Sequence, residues 1–163
     1  MTQPNSASVS PPLTSGTPNL LEQYKLYVEM ADRISARRAT TNTFYVSLLT
    51  GLLAVLAIVV EKNILTNVQY VVFFTIALLG LTLCCVWFMN ILSYRQLNTG
   101  KYMVIHEMEQ QLPFACYDRE WEVLGKGADW KKYLPLTHIE QYVPVFVAIP
   151  YVFLFAYSLY LMA

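Results

Sequence analysis

The chain has 163 residues, of which 56% are hydrophobic and 13% are charged, and its acidic and basic side chains are equal in number. A soluble domain carries about 25% charged residues, and a chain this short has too little interior to hide so many apolar side chains from water. The composition therefore excludes an ordinary soluble domain, and the scattered, balanced charges do not support nucleic-acid binding. We predict an all-α integral membrane protein, which has the lipid bilayer as a partner.

The first segment, residues 1–19, is rich in Ser, Thr and Pro and contains neither a charged side chain nor an apolar run. This composition predicts a disordered tail over 1–19. It also lacks the basic and apolar regions of a signal peptide, so we expect no cleaved leader there.

The next segment, residues 20–38, has the pattern of an amphipathic cytoplasmic helix. Its apolar stripe recurs at spacings of three and four residues, and charged side chains cover the other face. Neither Gly nor Pro occurs between Leu20 and Thr50, so we predict that this helix continues unbroken into the first span. The stripe would either pack on other cytoplasmic helices or lie on the membrane surface. The many acids on its polar face favour packing. The stripe consists of Leu20, Tyr24, Tyr27, Ala31 and Ile34.

Three runs without charged residues decide the membrane topology. They have 22, 32 and 23 residues, and about 20 helical residues cross the hydrocarbon core of a bilayer. We predict three transmembrane helices and a cytoplasmic helical loop between the second and the third. The predicted spans are 39–60, 68–92 and 141–163, and the loop is 93–138.

The orientation follows from the Lys and Arg residues. Ten of the eleven lie either before span one or between spans two and three. The positive-inside rule places both regions in the cytoplasm. We therefore predict that the N-terminus is inside and the C-terminus is outside.

Span one carries a stripe of small and hydroxyl residues at spacings of three or four. Small side chains allow helices to approach closely in lipid, so the stripe predicts a helix-packing face. The alternative is the lining of a water-filled path. The stripe consists of Thr40, Thr43, Ser47, Gly51, Ala54 and Ala57.

In the cytoplasmic loop we expect helix two to run past Arg95 and to break near Gly100. The segment 116–124 predicts a short helix with a glycine stop at Gly125. Thr137 and Glu140 have the spacing of a capping box before span three.

The chain lacks a phosphate-binding glycine loop, a nucleophile elbow and zinc-ligand spacing. We therefore predict neither an enzyme nor a bound cofactor or metal. No charged residue lies deep in a span, which argues against an ion-coupled transporter. His106 and His138 are candidate pH sensors, because histidine changes its charge near neutral pH. The alternative is that both are ordinary solvated or interfacial histidines.

Two motifs, EQYKLYVEMADRISARR at 22–38 and PLTHIEQYVP at 135–144, resemble the RipA family of octameric bacterial membrane proteins. The resemblance covers residues 20–163. It implies a homo-octamer in the bacterial inner (cytoplasmic) membrane with a link to stress or pH adaptation, and it carries over no catalytic residues. A weaker architectural similarity is to membrane-hairpin effectors of bacterial defence systems.

The leading hypothesis is thus a non-enzymatic, self-assembling membrane protein, and the alternative is a pore or channel, including a defence effector. We expect the stripe of the amphipathic helix to make subunit contacts and the small residues of span one to extend them into the bilayer. The candidate interface residues are Leu20, Tyr24, Tyr27, Ala31, Ile34, Ser47, Gly51 and Ala54.

Overall fold

A computed structural model describes residues 16–62, 69–127 and 139–162. Its regular elements are helical, as predicted, and follow one another along the chain. They are α1 (Gly16–Glu61), α2 (Gln69–Glu109), α3 (Cys116–Val123), a 3₁₀ turn (Gly125–Gly127) and α4 (Val143–Met162).

Helix α1 is one continuous rod of 46 residues. At 1.5 Å per residue it is about 70 Å long, more than twice the thickness of a hydrocarbon core. The predicted unbroken passage from the amphipathic segment into span one is confirmed. The helix begins at Gly16 rather than at residue 20, and residues 1–15 of the predicted tail lie outside the described part of the chain.

Helix α2 has 41 residues and continues without a break through Gly100 to Glu109, so the predicted break was wrong. One glycine costs a helix about 1 kcal/mol. Packing of the buried residues Ile91 and Ile105 on either side of it outweighs that cost. A side chain at Gly100 would meet open space, so the glycine marks no turn or close approach.

The short helix α3 ends where the sequence predicted. Gly125 follows it with φ 71°, a left-handed conformation that glycine adopts without a steric penalty. Thr137 lies outside the described residues, and so does the capping box predicted for it. Glu140, the other residue of that box, forms an ion pair with Arg38, with Nε and Oε2 3.2 Å apart.

Three helices, α1, α2 and α4, are long and apolar enough to cross a membrane. This confirms the predicted fold class of an all-helical protein with three candidate spans. The inside and outside assignment of the termini stays a prediction from the distribution of charge.

Helix α2 lies between the other two spans and packs against both. The core within the spans combines Leu49 of α1, Cys84 and Trp87 of α2, and Tyr151 of α4. On α4 the buried residues Pro144, Tyr151 and Ser158 recur every seven residues. Such a spacing places them on one helix face, which is directed at α2.

Tyr151 joins all three spans. Its ring lies directly against Gly80, where a Cβ atom would overlap it. Its hydroxyl donates a hydrogen bond to the carbonyl oxygen of Leu49, 2.7 Å away. The missing side chain of Gly80 therefore lets α4 approach α2 closely enough for Tyr151 to reach α1.

We predict that Gly80→Ala lowers the free energy of unfolding by about 1–3 kcal/mol, because the added methyl group overpacks the contact with Tyr151. The measurement is the thermal unfolding midpoint in mild detergent. Gly100→Ala is the control, since a Cβ atom at Gly100 of the same helix meets nothing within 4 Å. An unchanged midpoint for Gly80→Ala would contradict this packing.

Candidate functional site

Two pairs of polar side chains within the spans form hydrogen bonds between α1 and α2. Asn42 accepts a hydrogen bond from the indole N–H of Trp87 at 2.9 Å, and Asn90 donates one to the Tyr45 hydroxyl at 3.0 Å. The rings of Tyr45 and Trp87 also stack, with centroids 5.8 Å apart. Hydrogen bonds of this kind hold helix pairs together in lipid, so these groups stabilise the subunit.

A second set of polar contacts holds the start of α4. Arg38 pairs with Glu140, and Arg95 donates a hydrogen bond to the side-chain oxygen of Gln141 at 3.0 Å. Arg38 directly precedes the first charge-free run and Arg95 directly follows the second. These contacts therefore mark the predicted cytoplasmic boundary of the membrane.

Among the residues that the structure describes, the most deeply buried charged side chain is that of Glu109, which is 1% exposed at the end of α2. Its Oε1 accepts hydrogen bonds from the Tyr24 hydroxyl at 2.9 Å and from the Tyr117 backbone N–H at 2.8 Å. Its Oε2 accepts one from the backbone N–H of Asp118 at 3.1 Å. One carboxylate thus connects α1, α2 and α3.

The position of Glu109 is explained by the first turn of α3. That turn has free N–H groups and the positive end of the helix dipole, and Ala115 at its N-cap provides no side-chain acceptor. Glu109 supplies the missing acceptor from another helix. Its role went unpredicted, because the chain gives no sign that an acid at the end of α2 would cap α3.

The hydroxyl groups around Glu109 remain protonated. Burial raises the pKa of Tyr24 above its ordinary value, and the hydrogen bond to Glu109 raises it further. Burial also raises the pKa of Tyr117, followed by the electrostatic effect of Tyr102 and of Asp32. A neutral Tyr24 keeps the hydroxyl hydrogen with which it donates the observed hydrogen bond to the carboxylate.

One of the two candidate pH sensors lies beside this carboxylate. The Nδ1 atom of His106 is 3.7 Å from Oε2 of Glu109 and 3.9 Å from Oδ1 of Asp118. These distances are too long for direct hydrogen bonds but suit electrostatic attraction to a charged imidazole. His138 lies outside the described residues, and pH sensing stays a prediction for both.

Five of the candidate interface residues lie on the face of α1 that packs within the subunit. Ala31 is 3% exposed, Tyr24 binds Glu109, and the Tyr27 ring lies under the Lys101 ammonium at 5.0 Å. Leu20 and Ile34 are half-buried. The contacts of the two tyrosines are made with α2 of the same chain, and contact of this group with a neighbouring subunit stays a prediction.

The other three candidates, Ser47, Gly51 and Ala54, are exposed. Leu49, between them in sequence, is fully buried on the opposite face. It follows Ala31 by 18 residues, which is five helical turns, so Ala31 and Leu49 share the inner face. The small residues of span one therefore do not extend the amphipathic stripe; they form a separate outer face.

This outer face is defined here by the whole small-residue stripe, every member of which is exposed. The hydroxyls of Thr40 and Thr43 donate to the carbonyl oxygens of Ala36 and Ala39, each at 3.1 Å. Because those hydrogens are already used, the two threonines can present methyl groups outward. The outer face consists of Thr40, Thr43, Ser47, Gly51, Ala54 and Ala57.

We predict that Glu109→Gln loosens α3, because the amide keeps one acceptor oxygen where the carboxylate offers two to the N–H groups of Tyr117 and Asp118, and its NH₂ group cannot accept a hydrogen bond. The expected cost is about 1–2 kcal/mol of local stability, or about 5–30-fold faster amide hydrogen exchange at the start of α3. Glu107→Gln, on the exposed side of the same helix, is the control. Equal exchange rates in both variants would contradict the capping role.

Within residues 16–62, 69–127 and 139–162, no three side chains of His, Cys, Asp or Glu are grouped so as to hold a metal ion. Among the described polar groups, Asn42, Asn90 and Glu109 form hydrogen bonds between helices.

Comparison with known proteins supports the architecture. A sequence profile of the octameric membrane protein family (8xMP) matches residues 21–160, close to the range 20–163 over which a family resemblance was expected. No curated protein and no solved structure matches the chain significantly. The narrower RipA assignment stays a prediction. With a match over most of its length, the chain belongs to the octameric membrane protein family.

Proposed function

We propose that this protein is a non-enzymatic, self-assembling protein of the bacterial inner membrane, of the RipA type, whose subunits meet through the outer face of α1. The observation that carries the proposal is the exposure of the whole small-residue stripe in the isolated subunit. Because the chain belongs to an octameric family, we expect its partner to be another copy of the same chain.

Apolar side chains gain little by leaving lipid for a helix interface, so association relies on close packing. The stripe of α1 provides such a surface, and Gly51 has no atom of its own subunit within 4 Å of its Cβ position. A neighbouring helix can therefore approach the backbone of α1 closely at this point.

A pore remains the alternative function. Its support is the row of hydroxyl residues on the outer face, which could line a water-filled path. The hydrogen bonds of Thr40 and Thr43 to their own helix favour packing instead, because they reduce the polarity that the face offers to water. Ion leakage from liposomes containing the purified protein would favour the pore, and tight liposomes would favour a packing face.

The stress or pH adaptation implied by the RipA resemblance is the finer part of the proposal. In this chain it is supported by His106, which lies close to the carboxylates of Glu109 and Asp118. Protonation of His106 would strengthen its attraction to both carboxylates and tighten the junction of α2 and α3.

We predict that Ser47→Leu and Gly51→Leu weaken self-assembly without unfolding the subunit. Added side-chain volume in a close helix contact costs about 1–3 kcal/mol, so each contact should weaken by about 5- to 150-fold. The measurement is the mass distribution in mild detergent, with native mass spectrometry over a range of concentrations. Helicity, followed by circular dichroism, should not change.

Thr82→Leu is the matched control, since Thr82 is an exposed small residue in the membrane part of α2. It should leave the octamer intact. A parent protein that is monomeric at every concentration would overturn the proposal of self-assembly. Loss of the octamer in the control but not in the two α1 variants would overturn the assignment of the interface to α1.

A further inference from the structure

The face of α4 that points away from α2 carries a row of large aromatic side chains, which we call the aromatic ridge. It consists of Phe146, Phe153 and Tyr160, which recur every seven residues and are 68%, 72% and 77% exposed. Phe153 follows the buried Tyr151 by two residues, which turns it by about 200° around the helix. The ridge therefore projects away from the core of its own subunit.

The aromatic ridge and the outer face of α1 point away from each other. Leu49 is buried on the side of α1 opposite the outer face, and Tyr151 is buried on the side of α4 opposite the ridge. These two residues meet in the core, where the Tyr151 hydroxyl binds the Leu49 carbonyl oxygen. A subunit with two different surfaces directed apart can join its neighbours head to tail, the arrangement that closes into a ring.

Two contacts show which parts of α1 and α4 lie at the same level. Arg38 pairs with Glu140, and Tyr151 binds Leu49, and in both pairs the two residues are 102 positions apart. The two helices therefore run in the same direction and in constant register. By that register Phe153 is level with Gly51.

Ring symmetry carries this register from one subunit to the next. Copies with the same orientation in one membrane are related by rotation about the membrane normal, and such a rotation leaves every residue at its own depth. Phe153 of one subunit is therefore level with Gly51 of its neighbour. The most protruding part of the ridge within the span thus comes opposite the residue of α1 that has no side chain.

The two ends of the ridge also meet apolar residues. By the same register Phe146 is level with Phe44, and Tyr160 is level with Ile58. Phe44 and Ile58 are 59% and 51% exposed in the isolated subunit. A contact centred on Gly51 would therefore continue along α1 in both directions.

The subunit itself contains a contact of the kind that this register suggests. The ring of Tyr151 on α4 lies directly against Gly80 of α2, where a Cβ atom would overlap it. The Cβ position of Gly51 has no atom within 4 Å, so the backbone of α1 is open there. Close packing of large side chains on such a bare backbone is what favours helix association in lipid.

We propose that the aromatic ridge of α4 in one subunit packs on the outer face of α1 in the next subunit, with the Phe153 ring against Gly51. The proposal rests on the self-assembly proposed above and identifies the second surface of that contact. Lipid is the competing occupant of the ridge, but lipid there would leave the outer face of α1 without its partner in the octamer.

Disulfide cross-linking in native membranes tests this contact. Gly51→Cys and Phe153→Cys are combined in one chain, in a background of Cys85→Ser and Cys116→Ser that removes the exposed thiols. Oxidation should produce a ladder of covalent oligomers that extends to the octamer, because each subunit offers one thiol to each neighbour. Either new cysteine alone should give no ladder, since a single thiol can link only two subunits.

Val152→Cys, combined with Gly51→Cys, is the matched control. Val152 is exposed and adjacent to Phe153 but is rotated by about 100° around the helix, so its thiol should form much less of the ladder. A ladder of equal strength from the control would overturn the proposal.

A second measurement does not depend on cysteines. Phe153→Ala, added to Gly51→Leu, should restore most of the octamer that Gly51→Leu alone loses, because removal of the ring makes room for the leucine. Tyr157→Ala, which truncates another exposed aromatic residue of α4, should not restore it. Native mass spectrometry compares the three variants, and equal loss in all of them would overturn the proposal.

Failure of this proposal and failure of self-assembly are distinguishable. If Gly51→Cys with Phe153→Cys gives no ladder while native mass spectrometry still finds the octamer of the parent protein, the ridge faces lipid and assembly stands. If the parent protein is monomeric by mass, the proposed function itself fails.

Discussion

The contact between α1 and α2 determines which face of α1 is buried and which face remains exposed. It runs from Tyr24 against Glu109, past Tyr27 at Lys101 and Asn42 at Trp87, to the buried side chain of Leu49. Contacts spread over so many turns leave α1 no freedom to rotate about its own axis. The direction of its small residues, away from α2, is a consequence of that constraint.

The same contact connects the candidate membrane spans to the region that the charge pattern predicts to be cytoplasmic. Because α1 and α2 both continue well beyond the predicted spans, they form a two-helix stem that carries α3 at the end remote from those spans. Glu109 completes the stem, since its carboxylate receives hydrogen bonds from α1 and from the first turn of α3. A buried carboxylate without those donors would be strongly destabilising, so the three helices depend on one another there.

The spans, the continuous rod of α1 and the end of α3 at Gly125 were predictable because they depend on local properties. Length, absence of charge, absence of Gly and Pro, and the preference of glycine for positive φ all act within a few neighbouring residues. The continuation of α2 through Gly100 was not predictable, because distant packing of Ile105 decided it. The cap formed by Glu109 likewise depends on two helices meeting in space.

The two faces of α1 show what helical spacing cannot predict. Each candidate interface group has the correct helical spacing by itself, but the spacing within a group says nothing about the angle between the groups. Over the residues that separate Ala31 from Gly51, that angle amounts to about half a turn. The burial of Ala31 and Leu49 showed that only one group packs on α2 and that the other faces outward.

An electron cryomicroscopy structure of the assembly in lipid tests the central claim most directly, namely that the outer face of α1 is a contact between subunits. We predict that Ser47, Gly51 and Ala54 lie against a helix of the neighbouring subunit, with the two helix axes about 8–10 Å apart. An assembly in which these residues line a water-filled axial cavity, or face lipid while other surfaces join the subunits, would contradict the account.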